Sequence, residues 1–191
     1  MTLRSLPPML LAGLLLLGLP AAATTMLRLE LPELAQSSDT VVHGTVRRVE
    51  SRWSGDRRRI VTDVEIQVTE ALKGQPGSTV LLVQPGGKVG DIGQAVHGSA
   101  SFTPGEEVVV FLERRGATAF RLYGMAQGKY QVRHAADSQT PLAVPEDTQE
   151  VRLLDPDTRQ ATQSTRKTLT LQELKAAIRT ALQQPAQEKR Q

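Results

Sequence analysis

Alternation with a period of two dominates the middle of the chain, and a helical period appears only near its end. Between Ile60 and Ala71, Ile60, Thr62, Val64, Ile66 and Val68 take every second position, with Asp63, Glu65, Gln67 and Thr69 between them. That spacing places one set on a buried face and the other in water, as a half-buried strand requires. Val41–Val49 is rich in β-branched residues and contains Gly44, which predicts a strand with a bulge or sharp bend. Thr79–Gln84, Glu107–Glu113, Phe120–Tyr123 and Lys129–Arg133 supply further strand material. Turn chemistry at Ser54-Gly55-Asp56, Lys73–Gly77 and Pro104-Gly105-Glu106 separates these runs. A short helix is expected within Leu27–Gln36, where Pro32 suits a first turn.

Helical spacing returns after Thr170. Leu171, Leu174, Ile178 and Leu182 lie on one face, and Thr170 with Glu173 forms a T-x-x-E capping box. An amphipathic helix over Thr170–Gln183, docked on the β-domain, follows. The stretch from Ala135 to Lys167 is polar, with room for short edge strands only at Pro141–Val144 and Val151–Leu154. A loop of this length is uncommon inside a compact domain. The expected organisation is a leader at 1–23, a β-domain with a short N-terminal helix at 24–134, an irregular and partly mobile segment at 135–168, a helix at 169–184 and a disordered tail at 185–191. Strands with glycine-rich turns and a terminal helix fit a small antiparallel barrel or sandwich.

The leader carries its own signal. Arg4 precedes an uncharged apolar run of 11 residues, Met9–Leu19, followed by Pro20 and Ala21-Ala22-Ala23. A positive start, a short apolar centre and small residues before the cut define a secretory signal peptide. Spanning a bilayer takes about 20 apolar residues, so the run is too short for an anchor. Cleavage after Ala23 leaves 168 residues. The expected location is secreted or periplasmic, with no membrane-spanning segment after processing.

Composition narrows the chemistry. The 191 residues contain no cysteine, which excludes disulfides, thiolate metal sites and thiol nucleophiles. It also excludes a lipid anchor on a cysteine. A formal charge of +3 is close to balance and implies no nucleic-acid partner by itself. Arginine outnumbers lysine 17 to 6, and with the missing cysteines this fits an exported bacterial protein. No G-x-S-x-G, H-E-x-x-H, Walker A or kinase signature is present. His43, His97 and His134 are far apart in different elements and are expected to be unrelated. Ser99 and Ser101 near His97 lack an identifiable orienting acid. No catalytic residue, metal site or cofactor is expected.

Two stretches remain as candidates. Arg47–Arg59 (RRVESRWSGDRRR) holds six arginines, two acids and Trp53 on an apparent hairpin tip, a local charge of +4. Arg47, Arg48, Arg52, Trp53, Arg57, Arg58 and Arg59 form a candidate site for phosphates, sulfates or carboxylates, which guanidinium groups grip bidentately. The bland alternative is a solvated tip whose arginines pair with nearby acids. Pro85–Gly105 holds six of the fifteen glycines. No helix follows that could cradle a phosphate. Either it is a β-connection whose glycines permit close approach, or it is an interaction loop, with Gly86, Gly87, Lys88, Asp91 and Gln94 as candidate partner contacts.

Three strings carry a family resemblance: Ser38–Val46 (SDTVVHGTV), Val64–Gly74 (VEIQVTEALKG) and Gly105–Leu112 (GEEVVVFL). Over about Leu34–Val132 the chain resembles the OB-fold of the tissue inhibitors of metalloproteinases and the related netrin-type modules, and also uncharacterised exported bacterial proteins. The resemblance implies a mainly β fold, a five-stranded antiparallel OB-like barrel. In those inhibitors an N-terminal cysteine chelates the protease zinc. The expected mature chain starts at Thr24 and has no cysteine, so those residues do not carry over.

The resulting expectation is a non-catalytic binding module of the bacterial envelope with an unknown envelope protein as partner, possible inhibitors included. An anionic polysaccharide or lipid head group bound by the arginine hairpin is the alternative, and an enzyme of unrecognised type the third. Nucleic acid is disfavoured, because Ile60–Ala71 and Thr79–Gln84 carry no aromatic on which bases could stack. N-terminal sequencing of the protein recovered from an expressing bacterium should begin at Thr24; a start at Met1, or beyond Met26, would overturn the cleavage assignment.

Overall fold

A computed structural model of the chain describes residues 24–134, 140–148 and 150–185. The expected leader, residues 135–139, Gln149 and most of the expected tail lie outside the described residues. Strand β1 is Thr25–Leu27, and helix α1 is Leu31–Ser37, with Pro32 in its first turn. Strands β2 (Thr40–Trp53), β3 (Ile60–Lys73) and β4 (Thr79–Pro85) follow. A small hairpin, β5 (Gly87–Val89) and β6 (Ile92–Gln94), precedes β7 (Glu107–Arg115) and β8 (Ala119–Leu122). A 3-10 turn at Met125–Gly128 leads into β9 (Lys129–Arg133). Short strands β10 (Leu142–Pro145), β11 (Arg152–Leu154), β12 (Ala161–Thr162) and β13 (Leu169–Thr170) come before helix α2 (Leu171–Gln183).

The protein is mainly β with a C-terminal helix. Its largest sheet runs β13-β10-β9-β7-β2-β3-β4-β8, and β8 also pairs with β7. The expectation of five antiparallel strands needs correction on two counts. Eight strands share this sheet, and β8 lies parallel to β4 through Leu81↔Ala119 and Leu82↔Phe120. β7 lies at the centre of the arrangement. Val108, Val110 and Leu112 face one core while Val109 and Phe111 face another, all with no exposed surface. A strand apolar on both faces is covered on both, and its two edges are paired as well, with β2 on one side and with β9 and β8 on the other.

The first core lies among β2, β3, β4, β7 and β8, with Val42, Val64, Ile66, Leu82 and Phe120. The second joins Leu34 and Ala35 of α1, Phe111, Tyr130, and Leu174 and Ile178 of α2. Phe111 and Tyr130 pack tilted with centroids 6.3 Å apart. β2 serves both cores, with Val41 in the second and Val42 and Val46 in the first, and its register against β3 shifts at three points, one of them between His43 and Gly44. At Gly44 a Cβ would collide with the backbone oxygen of Gln67 and with Ile66, so only glycine allows that strand approach.

α2 is set by its ends and its stripe. Thr170 Oγ1 accepts from Glu173 N–H at 3.1 Å, and Glu173 Oε2 accepts from Thr170 N–H at 2.8 Å. That reciprocal pair satisfies two otherwise orphaned amides. Among the described residues no helix is long and apolar enough to cross a membrane. Leu174→Ala and Ile178→Ala should each lower unfolding free energy by about 2–5 kcal/mol in urea titration, because neither side chain is exposed and each leaves a cavity. Unchanged midpoints would mean that α2 is not part of the cooperative fold.

Candidate functional site

β2 and β3 are 14 residues each, but β2 pairs with β7 only from Thr40 to Thr45. Its outer half, Arg48–Trp53, pairs with Ile60–Glu65, which pairs in turn with β4 from Val61↔Pro85 to Glu65↔Leu81, and this arm is bounded by the turn Ser54–Arg59. Side chains build this turn. Ser54 N–H donates to Arg59 O and Arg57 N–H to Ser54 O, both at 2.8 Å. Ser54 Oγ donates to Asp56 Oδ1 at 2.5 Å, Arg58 N–H donates to the same oxygen at 3.2 Å, and Arg59 N–H donates to Ser54 Oγ at 3.2 Å. Arg57 takes a left-handed φ of 55° to close the loop. The Ser54 hydroxyl, the Arg58 amide and the charge of Arg59 hold the Asp56 carboxyl below the usual carboxylate range.

The six arginines divide into two groups. Arg52 forms a bidentate pair with Asp63, at 2.6 and 3.0 Å. Arg48 sits 3.0 Å from Glu50 and 3.9 Å from Glu65. These two are neutralised on the wet face of the arm. Arg47, Arg57 and Arg58 are exposed and have no ion-pair partner among the described residues, while Arg59 has only the field of Asp56. Trp53, at the outer end of β2, is 38% exposed.

The glycine-rich stretch meets this arm. Gly87 approaches so closely that a Cβ there would collide with the hydroxyls of Ser51 and Thr62. Thr62 Oγ1 donates to Gly86 O at 2.7 Å, and Gly86 N–H donates to Ile60 O at 2.9 Å. Gln94 Oε1 accepts from Ile60 N–H at 2.8 Å. Gly86, Gly87 and Gln94 therefore pin the β5–β6 hairpin to β2 and β3. Lys88, Asp91 and Ile92 remain at its surface, with Ile92 56% exposed. The two candidate stretches, separate in sequence, form one continuous feature.

A second polar cluster escaped the sequence reading. His43 and His134, expected to be unrelated, share one carboxylate. Each Nε2 lies 2.6 Å from a different oxygen of Glu107. Lys175 of α2 donates to His43 Nδ1 at 3.1 Å and to Glu70 Oε2 at 2.8 Å, and Arg179 pairs with Glu70 Oε1. An ammonium can only donate, so Nδ1 of His43 accepts and its Nε2–H faces Glu107. His97 stands apart, 3.6 Å from Glu150. Sequence separations of 64, 27 and 132 residues gave no spacing signal for this cluster.

A third cluster surrounds Lys129, which is 1% exposed. Its ammonium meets Glu106 at 2.7 Å, Glu146 at 3.1 Å and Ser101 O at 2.5 Å, above the Phe102 ring. A cavity of about 540 Å³ adjoins it, with Thr103, Gln131, Arg133 and Arg166 in its walls. Ser101 Oγ donates to Glu146 and Ser99 Oγ to Pro85 O, so neither serine engages His97. Among the described residues no group of three His, Cys, Asp or Glu side chains could hold a metal ion. No protein-family model matches the chain, and a search of curated proteins finds no significant match.

The Glu70–Glu107 network has a pH signature. For Glu70 the Lys175 hydrogen bond outweighs burial, and the charges of Lys175 and Arg179 add to it. For Glu107 burial opposes ionisation, but the hydrogen bonds from His134 and His43 prevail. Both carboxyls thus sit below their ordinary 4.5 when folded. A depressed folded value contributes stability above the unfolded value and loses it as pH falls through the folded one. Unfolding free energy should therefore hold down to about pH 5 and decline below about 4.5. Glu107→Gln should lower stability at pH 7 and make the acid decline shallower; an unchanged slope would show that Glu107 carries none of it.

Proposed function

We propose that this chain is an exported, non-catalytic binding module of the bacterial envelope that docks an acidic protein surface on its β2–β3 arm. The observation that carries this reading is the set of exposed, unpaired guanidinium groups of Arg47, Arg57 and Arg58 on a turn stiffened by Ser54 and Asp56. A solvated tip would have spread its acids over its arginines. Here Asp63 and Glu65 are engaged by Arg52 and Arg48, and Asp56 is engaged by the turn backbone.

Trp53 and Ile92 favour a protein over a charged polymer. Exposed apolar side chains beside arginines are the composition of interface anchors, whereas a polyanion needs charge alone. The fold reading stays with the OB-like barrel. What supports it is that the pairings β2–β3–β4–β8–β7 lead back to β2, with the third and fifth of these strands in chain order parallel. In OB-folds the loop between the first two strands is a common binding element, and here that loop is the arginine turn. β3 and β4 present no aromatic platform for bases. The inhibitor-like version of the reading would need a different chelating group from that of the resembling family.

Replacing Arg57, Arg58 and Arg59 together with Ser should leave the melting temperature within a few degrees, since exposed side chains contribute little to folding. Partner proteins retained from envelope extract by the immobilised wild type should elute with moderate salt and bind the variant about tenfold or more weakly. Equal retention by the two proteins would overturn the proposal. Retention of heparin but of no protein would move the reading to an anionic polymer.

A further inference from the structure

The outer half of β2 has an open backbone edge. Val46 closes the covered half: its N–H donates to Glu106 O and its C=O accepts from Gly105 N–H, both at 2.8 Å. Beyond it β2 has β3 on one side and no strand on the other among the described residues. The direction of its free groups follows from the register. Ile60 turns its N–H to Gln94 and its C=O to Gly86, away from β2, so Trp53↔Ile60 is a non-hydrogen-bonded pair. Such pairs alternate along an antiparallel ladder, so Ser51↔Thr62 and Val49↔Val64 are of the same kind. The 2.9 Å contact between the Ser51 and Thr62 hydroxyls fits the closer side chains of that geometry. The N–H and C=O groups of Val49, Ser51 and Trp53 therefore point outward along one edge. Among the described residues only Trp53 O of these groups has a partner, a 3.4 Å contact from Arg52 Nη1.

We propose that this edge accepts an extended acidic segment of the partner protein as an added strand, pairing with Val49, Ser51 and Trp53. The inference rests on the reading of the arm as a docking surface and names the form of what docks. Val49 to Trp53 spans about 13 Å, enough for a strand of about five residues. Charge complementarity selects the occupant. Arg47 stands at the inner end of the edge, and the unpaired Arg57 and Arg58 follow its outer end. A segment with carboxylates near both ends and β-branched residues between them matches that order. A second copy of this chain would bring arginine against arginine, the arrangement by which charged edge strands resist self-pairing. Main-chain bonds would supply affinity, and the arginines and Trp53 would select the sequence.

Trp53 is the single tryptophan of the chain, so its emission reports on this edge directly. The probe is a capped peptide, Asp-Val-Thr-Val-Thr-Val-Glu, titrated into the mature protein alongside the same peptide N-methylated at alternate amides. The parent peptide should shift Trp53 emission and slow amide exchange at Val49, Ser51 and Trp53. The methylated peptide keeps the charge, loses half its donors, and should bind at least tenfold more weakly. Equal binding of the two peptides would overturn strand addition while leaving the arginine reading intact. Equal binding of the parent peptide to the wild type and to the Arg57/58/59→Ser variant would instead remove the arginine reading and keep the strand. No emission shift and no protection at millimolar parent peptide would overturn the inference. Protection of the same three amides in a concentration-dependent dimer without peptide would make the occupant a second copy, which also overturns it.

Discussion

β7 is the constraint on which the other elements depend. Its alternate residues enter different cores, so neither face can meet water and both edges need partners. β2 takes one edge, while the other is divided between β9 and β8. α2 and α1 exist in this arrangement to cover Val109 and Phe111, and their apolar stripes would be exposed without that face. The arm is a consequence. β2 is held beside β7 for six residues and then runs on with only β3 as its paired neighbour among the described residues, so the inner half anchors what the outer half presents.

The same economy governs the buried charges. Lys129 begins β9, where its ammonium is nearly inaccessible, and burying a lone cation costs several kcal/mol. Two carboxylates, a carbonyl and a ring face surround it, from residues 101–106 and 146. Arg166 does a similar task nearby, donating to the carbonyls of Gln127 and Glu146 and lying 5.7 Å from the Tyr130 ring centroid. Burial lowers its pKa, with Tyr130 and Glu146 acting in the opposite direction. These two cations tie irregular chain to the sheet where few apolar side chains could.

Sequence alone revealed what local pattern encodes. The alternation of β3 is visible because one face is wet, and α2 is visible because a capping box starts a clean stripe. The arginine arm was legible from composition. The ion pairs that separate Arg48 and Arg52 from the other four appear only once β2 is set against Asp63 and Glu65. β5 and β6 were illegible, since three-residue strands rich in glycine carry no periodicity. The carboxylate bridge between His43 and His134 depends on β2, β7 and β9 being neighbours, which no spacing records.

The beginning of the folded region is fastened by its end. β1 lies parallel to β11, Arg28 reaches Asp155 across 127 residues, and Gln36 of α1 donates to the carbonyl of Ala181 across 145. A polypeptide made or threaded in order thus has its first elements waiting for partners that arrive last. Loops of that size close slowly, because their entropy is lost before any contact rewards it. The packing of the first elements is therefore completed only when almost all of the described chain is present.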